Sequence, residues 1–146
     1  MPEELQVQLP HLWKLIEAMQ IPYLSQAGFE ADDIIGTLVK HGLEQDLDVF
    51  IVSGDKDFMQ LINANVFLFS PGTRNKPDKI YDIKGVEDRW GVPPEKIIDL
   101  FGLMGDSSDN IPGVVGVGPK SAMKLIHDYG TLEEALKNAE SVTNKR

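Results

Sequence analysis

The segment DVFIVS, residues 48–53, is the feature that most constrains the fold of this chain. It is a continuous apolar run of strand length, and such runs are typical of parallel strands covered on both faces. The segments around it alternate between helical and strand patterns. IPYL at 21–24 and VFLF at 66–69 indicate strands, and residues 29–45 indicate a helix, while KIYD at 79–82 predicts a short edge strand. The first portion of the chain is therefore predicted to be an α/β fold with a partly parallel sheet.

The remainder of the chain has a helical pattern throughout, in segments that begin at Asp82, Pro93, Pro119 and Thr131. Thr131 has the pattern of a helix N-terminus, because acidic residues follow it in the first turn. At the other end, residues 2–19 read as one amphipathic helix, although Pro10 interrupts the pattern. These patterns predict two parts, an α/β part at residues 1–90 and an all-helical part at residues 91–146.

Composition excludes several classes of protein. The 146 residues include no cysteine, which rules out disulfides, thiolate zinc sites and cysteine nucleophiles. No apolar run reaches the roughly 18–20 residues of a membrane helix. The N-terminal MPEELQVQLP has neither the basic start nor the apolar stretch of a signal peptide. A cytoplasmic location is therefore expected. The formal net charge of −9, taken alone, argues against a polyanionic partner.

Three acidic clusters follow predicted elements: EADD (Glu30, Asp32, Asp33), GDKD (Asp55, Asp57) and GDSSDN (Asp106, Asp109). Each cluster alone has a structural explanation, because acidic residues cap helix N-termini and favour turns. The first two clusters, however, follow neighbouring predicted strands. The carboxyl ends of parallel strands form the ligand-binding edge of an open α/β sheet, so the two clusters should converge there.

The chemistry of these side chains indicates a hard cation. Oxygen ligands without a local cysteine or histidine suit Mg²⁺ or Mn²⁺, and the scattered His11, His41 and His127 read as surface or helix-face residues. Without the seven clustered carboxylates the net charge of −9 would be −2. With two divalent ions bound, the pocket could accept a phosphodiester, since the metals meet the phosphate and the carboxylates meet the metals.

The segment IPGVVGVGPKSAMKLI, residues 111–126, has the pattern of a helix–hairpin–helix. Its glycines allow positive φ and leave backbone N–H groups uncovered, and the N-terminus of the following helix adds to a candidate anion site. Such a site grips phosphates without reading bases. The alternative is a plain turn between two helices. The predicted nucleic-acid contacts are Gly116, Val117, Gly118, Lys120, Ser121 and Lys124, with the two lysines on one helix face.

Taken together, these motifs resemble the 5′ nuclease family, which includes the 5′–3′ exonuclease domains of bacterial DNA polymerase I and the flap endonucleases. The matching stretches are GFEADDIIGTL, VSGDKDFMQL, GVPPEKIIDLFGLMGDSSDNIPGVVGVGPKSA and YGTLEEAL, and they cover most of the chain. The resemblance implies a PIN-like α/β core followed by a helix–three-turn–helix subdomain. It also implies hydrolysis of DNA phosphodiesters in replication and repair, at 5′ ends or flaps, and it is nearest to the polymerase I type.

The resemblance assigns roles to individual residues. Glu30, Asp32, Asp33, Asp55, Asp57, Asp106 and Asp109 match carboxylates that bind two divalent metals, Mg²⁺ or Mn²⁺, and Asp55 and Asp57 are the catalytic candidates. Water would be the nucleophile. The glycine hairpin matches one that binds duplex DNA, often with a monovalent cation such as K⁺. The 1–90 part would then be the nuclease core and the 91–146 part the DNA-binding subdomain.

The chain also departs from the family pattern, because it lacks the family's first strand and most of its helical arch. The resemblance therefore implies an N-terminally truncated fragment with an incomplete metal site, which binds DNA but needs the absent part for chemistry. Its expected partners are that N-terminal segment in trans or a domain-swapped second copy. Two other functions stay open: a non-catalytic DNA-binding fragment, and a small-molecule phosphatase, which would leave the hairpin unexplained.

Overall fold

The structure is a computed structural model, and it describes residues 1–141. The chain divides into two compact units, Met1–Leu38 and Val39–Arg146. Helix α3, Ala31–Leu43, begins in the first unit and ends in the second. None of the helices within residues 1–141 is long and apolar enough to cross a membrane.

The first unit begins with two helices where the sequence predicts one. Helix α1 is Glu3–Gln6 and helix α2 is Leu9–Ala18. Pro10 lies in the first turn of α2, where its missing N–H costs no helical hydrogen bond. The prediction of a single helix over residues 2–19 is therefore wrong, and the proline marks the start of a new helix.

The strand predicted at residues 21–24 does not form, because its start is used to cap α2. Gln20 has φ of +55°, and the Ile21 N–H donates to the carbonyl of Ile16 (3.1 Å), which is the bond pattern of a Schellman cap. Pro22 has no N–H to give to a β-ladder. The apolar character of the segment was therefore a misleading signal for a strand.

The second unit contains the sheet, which has the order β1–β2–β3. Strand β1 is Val49–Val52, β2 is Val66–Ser70 and β3 is Lys79–Tyr81. β1 and β2 are parallel and β2 and β3 antiparallel, as predicted for a partly parallel sheet. Burial of β1 on both faces was a wrong prediction: Ile51 is 5% exposed, but Phe50 is 55% exposed. Side chains alternate between the faces of a strand, and only the Ile51 face of this edge strand joins the core.

The helical remainder follows the sequence pattern. Helix α4 is Ile83–Trp90, α5 is Ile97–Met104, α6 is Pro119–Tyr129 and α7 is Leu132–Lys137, with short 3₁₀ turns at Asp57–Leu61, Pro94–Lys96 and Ala139–Ser141. The predicted cap at Thr131 is present, because its side chain accepts the N–H of Glu134 (3.2 Å). Helix α5 is the centre of this part, since it packs against α6, α7 and the 3₁₀ turn at 57–61.

The core of the second unit connects the sheet to α5 through the 3₁₀ turn at Asp57–Leu61, which packs against both β2 and α5. Its most deeply buried large side chains are Met59, Val66, Leu68, Val86, Val92, Ile97, Leu100 and Leu103. α5 also anchors the hairpin that follows it, because the carbonyl of Leu103 accepts the N–H of Val114 (2.8 Å). The core thus fixes both the turn after β1 and the loop after α5.

Truncation of a core side chain in α5 should be costly. Leu100 is 1% exposed, so we expect Leu100→Ala to lower the free energy of unfolding by about 2–5 kcal/mol through lost burial and a cavity. Ile98 lies in the same helix but is 65% exposed, so Ile98→Ala should change stability by less than about 0.5 kcal/mol. Urea unfolding measures both values, and equal losses would contradict the described packing.

Candidate functional site

Three carboxylates from distant parts of the sequence meet in the second unit. Asp57, Asp106 and Asp109 each offer an oxygen, and the three oxygens lie within 4.8 Å of one another. Asp57 opens the 3₁₀ turn that follows β1, and the other two lie in the loop after α5. We call this trio the carboxylate cluster. Asp106 is buried, Asp57 is half-buried and Asp109 is exposed, so the cluster is reachable from solvent.

The loop that carries two of these residues is closed by its own backbone. Asp106 and Ile111 exchange two N–H···O bonds of 2.8 Å each. The Asp106 carboxylate also accepts the N–H of Ser108 (2.9 Å). Gly105, at the end of α5, has φ of +80°, and Gly113 packs against its backbone so closely that a Cβ on Gly113 would overlap it. These contacts hold Asp106 and Asp109 at one end of the loop.

Asp55 supports the cluster instead of joining the three oxygens. Its N–H donates to Ser53 Oγ (3.0 Å), and its Oδ1 accepts the N–H of Asp57 (3.0 Å). An aspartate that bonds to the backbone two residues later forms an Asx turn. The Asp55 carboxylate, itself exposed, therefore orients the backbone of Asp57.

Lys56 is a member of the site that the sequence analysis missed. Its Nζ forms an ion pair with Asp106 Oδ2 and lies 3.8 Å from Asp57 Oδ1. The same ammonium is 3.5 Å from Ser108 Oγ and 5.4 Å from the centre of the Phe101 ring. The available signal was its place inside GDKD, between two acidic residues.

The surroundings of Asp57 and Asp106 shift the pKa values of these two carboxyl groups in opposite directions. Burial raises the pKa of the Asp57 carboxyl, and the neighbouring acidic residues raise it further, against the opposing effect of Lys56. The hydrogen bond from Lys56 and the N–H of Ser108 hold the pKa of Asp106 below its usual range. Reciprocally, Asp106 raises the pKa of the Lys56 ammonium. The ionised form of Asp106 is therefore stabilised, whereas ionisation of Asp57 is disfavoured.

The cluster fits a divalent cation on chemical grounds. All its donors are carboxylate oxygens, which hard divalent ions prefer. Asp57 Oδ1 is also buried, and no group within residues 1–141 donates a hydrogen bond to it. A buried anionic oxygen without a hydrogen bond is costly unless a cation lies close to it.

The EADD residues lie in the first unit, at the first turn of α3. Asp33 Oδ2 accepts the N–H of Glu30 (3.0 Å), so this carboxylate closes the N-terminus of the helix. Glu30, Asp32 and Asp33 are exposed. Their role as metal ligands stays a prediction.

The glycine hairpin has the geometry of a tight turn followed by an uncapped helix. The N–H of Val117 donates to the carbonyl of Val114 (2.9 Å), and Gly116 has φ of +83°, as predicted. Gly118 has φ of −97°, because it is the N-cap of α6 and takes extended backbone. As a glycine, it offers no side chain to the first N–H groups of α6. Lys120, Ser121 and Lys124 are exposed on that helix.

These elements define a mixed α/β protein with an acidic cluster beyond the carboxyl end of its parallel strands, followed by a helical part with a glycine hairpin. Comparison with known families gives the same result. Residues 1–91 match the model of the 5′-3′ exonuclease N-terminal resolvase-like domain, and residues 92–146 match that of the 5′-3′ exonuclease C-terminal SAM fold. The chain therefore belongs to the 5′-3′ exonuclease family.

Individual relatives agree with this assignment. DNA polymerase I of Caldicellulosiruptor bescii is 40% identical over 144 residues, which is 97% of this chain and 17% of the polymerase. The bacteriophage T5 5′-exonuclease with bound divalent zinc ions superposes with a TM-score of 0.77 at 25% identity, over 100% of this chain and 55% of that one. The T5 flap endonuclease in a pseudo-enzyme–product complex with DNA and metal ions gives a TM-score of 0.78 at 25% identity, over 100% and 54%. The chain thus spans about one sixth of the polymerase and about half of the phage enzymes.

Proposed function

We propose that this chain forms part of a divalent-metal-dependent 5′–3′ exonuclease and 5′ flap endonuclease that hydrolyses DNA phosphodiesters in replication and repair, within a DNA polymerase I. The carboxylate cluster is the observation that carries the proposal, because its all-oxygen donor set suits the ions of phosphoryl chemistry. The two family models support the reaction class. A cytoplasmic location belongs to the same proposal.

In this proposal the cluster holds Mg²⁺ or Mn²⁺. Bound divalent ions supply an activated water and neutralise the charge of the phosphate under attack. Asp57, Asp106 and Asp109 hold the ions, and Asp55 fixes the backbone that carries Asp57. By their match to the family pattern, Glu30, Asp32 and Asp33 are proposed as further metal ligands. Residues 1–90 then provide the nuclease core.

The helical part, residues 91–146, provides the grip on DNA. The uncapped N-terminus of α6 presents N–H groups, and Lys120 and Lys124 lie one turn apart on the exposed surface of the same helix. Backbone N–H groups and lysines contact phosphates without reading sequence. Gly116, Val117, Gly118 and Ser121 place the backbone close to the strand, and hairpin carbonyls could hold a K⁺ ion.

The exposed edge of the sheet is a candidate surface for binding another protein segment. Strand β1 is at one edge of the order β1–β2–β3, and its Phe50 and Val52 are 55% and 67% exposed. An exposed apolar edge strand favours pairing with another strand. The partner proposed is an N-terminal segment supplied in trans or a swapped second copy of the chain.

Cleavage of a 5′-labelled flap duplex in Mg²⁺ or Mn²⁺, by this chain supplied with the N-terminal segment proposed as its partner, tests the proposed activity. We expect cleavage to be abolished by a chelator and lowered about 100-fold or more by Asp55→Ala, because Asp57 loses its turn. Asp88→Ala removes an equal charge from the exposed surface of α4 and should leave the rate unchanged. Binding of the duplex without metal-dependent cleavage would favour the non-catalytic DNA-binding function instead.

Salt dependence tests the DNA grip. If Lys120 neutralises one phosphate, Lys120→Ala should weaken binding of any duplex sequence and lower the slope of log K against log salt by about 1. Lys84→Ala, which removes an exposed lysine from α4, should not change the slope. Fluorescence anisotropy at several salt concentrations gives both numbers. Identical slopes for the two variants would contradict a phosphate contact at the hairpin.

A further inference from the structure

The ammonium of Lys56 lies among the carboxylates that suit a metal. It pairs with Asp106 Oδ2 and is 3.8 Å from Asp57 Oδ1. Within residues 1–141 both ion pairs of the cluster are formed with Lys56. Three carboxylates whose oxygens lie within 4.8 Å repel one another. A cation between the carboxylates offsets this repulsion, and here the Lys56 ammonium is that cation.

We propose that Lys56 is a built-in counter-cation that competes with the divalent metal for the carboxylate cluster and sets its metal affinity. This inference rests on the proposed metal site. The Asp106 side chain is 5% exposed and its Oδ2 pairs with the Lys56 ammonium, so an ion bound to the same oxygen would be strongly repelled by that ammonium. Metal binding therefore requires Lys56 Nζ to leave Asp106.

Beyond its two carboxylate partners, the ammonium of Lys56 makes weak contacts in its present position. Ser108 Oγ lies 3.5 Å from Nζ, and the Phe101 ring centre lies 5.4 Å from it. The Lys56 side chain is 23% exposed, compared with 5% for that of Asp106. The ammonium thus has a path toward solvent, whereas Asp106 stays in place. Metal binding should therefore displace the Lys56 side chain and leave the Asp106 carboxylate where it is.

Competition between Lys56 and the metal predicts that removing Lys56 raises metal affinity. Removing the ammonium removes both the rival for Asp106 and a positive charge beside an incoming cation. A structural lysine that merely holds the carboxylates in position has the opposite signature, because its removal would scatter the ligands and weaken metal binding. The two roles of Lys56 are therefore separated by the direction of the change in metal affinity.

Calorimetric titration with Mn²⁺ alone, without DNA, tests this role. We expect Lys56→Met to bind Mn²⁺ about tenfold more tightly than the wild type, a difference of about 1.4 kcal/mol. Lys96→Met is the matched control, because Lys96 has 29% side-chain exposure and pairs with Asp99 at 3.8 Å in the same unit. That control should bind Mn²⁺ as the wild type does.

A second measurement uses the unaltered protein. Mass-spectrometric footprinting with an amine-acylating reagent should label Lys56 at least threefold faster in saturating Mn²⁺ than in chelator, while Lys96 labelling stays constant. Unchanged or weaker Mn²⁺ affinity of Lys56→Met would overturn the inference. If that variant does not fold, labelling of Lys56 in the wild type at the same rate with and without Mn²⁺ would overturn it. Absence of Mn²⁺ binding by the wild type would instead overturn the metal site itself, and the inference with it.

Discussion

Asp57→Asn should make the metal-free protein more stable by a few degrees in Tm and weaken Mn²⁺ binding roughly 100-fold, the upper end of what changes around a metal site cost. The gain in stability follows from the raised pKa of Asp57, which shows that its ionised form is disfavoured in the folded protein. A neutral amide of the same shape removes the burial penalty and the repulsion from Asp106 and Asp109. The loss of affinity follows because the amide gives up one of three anionic ligands.

The pH dependence of this gain has a definite sign. A carboxyl with a raised pKa in the folded state contributes most to stability when it is protonated, and that contribution is lost as pH rises through its folded pKa. The advantage of Asp57→Asn should therefore be greatest at neutral pH and vanish in acid, where the wild-type carboxyl is also neutral. Thermal unfolding in chelator at several pH values measures this advantage.

The exposed Asp88 of helix α4 provides the control for the Asp57 experiment. Asp88→Asn changes the net charge equally, but this exposed residue forms a surface ion pair with Lys84, so neither Tm nor Mn²⁺ affinity should change appreciably. A lower Tm for Asp57→Asn in chelator would show that the carboxylate stabilises the fold. It would then not be a strained group retained for metal binding.

Most elements of the fold could be predicted from local sequence patterns. The apolar runs at 48–53 and 66–69 gave the two parallel strands, and Thr131 gave a helix cap, because each depends on neighbours within one turn or one strand. The errors arose where two local preferences compete. At residues 21–24 the C-terminal cap of α2 forms instead of a strand, and within residues 2–19 Pro10 starts a second helix.

The candidate site was less accessible from sequence, because its members are brought together by packing. Asp57 and Asp106 meet since α5 lies against the 3₁₀ turn that follows β1. Sequence identified both as acidic loop residues but could not separate the three that converge from Asp55, which turns toward the backbone of Asp57. Lys56 was overlooked for the same reason: its partner Asp106 is far along the chain.

Gly113→Ala should unfold or severely loosen the loop of Asp106 and Asp109, at a cost of more than about 3 kcal/mol. Gly113 has φ of +61°, and a Cβ there would overlap the backbone of Gly105 and Met104, which cannot move aside as a side chain can. Gly116 is the matched control, because its φ is +83° but no atom of residues 1–141 beyond its chain neighbours lies within 4 Å of its Cβ position. Gly116→Ala should cost only the left-handed backbone penalty of about 1–2 kcal/mol.

The same pair of variants separates the two proposed tasks of the segment between α5 and α6. Gly113→Ala should abolish Mn²⁺ binding, because the contact with Gly105 places both aspartates of the loop. Gly116→Ala should keep Mn²⁺ affinity while weakening duplex binding, because it distorts only the turn before α6. Calorimetry with Mn²⁺ and anisotropy with duplex DNA measure the two effects. If Gly116→Ala lowered Mn²⁺ affinity as much as Gly113→Ala, the loop and the hairpin would be one unit, and metal binding and DNA binding would be coupled through it.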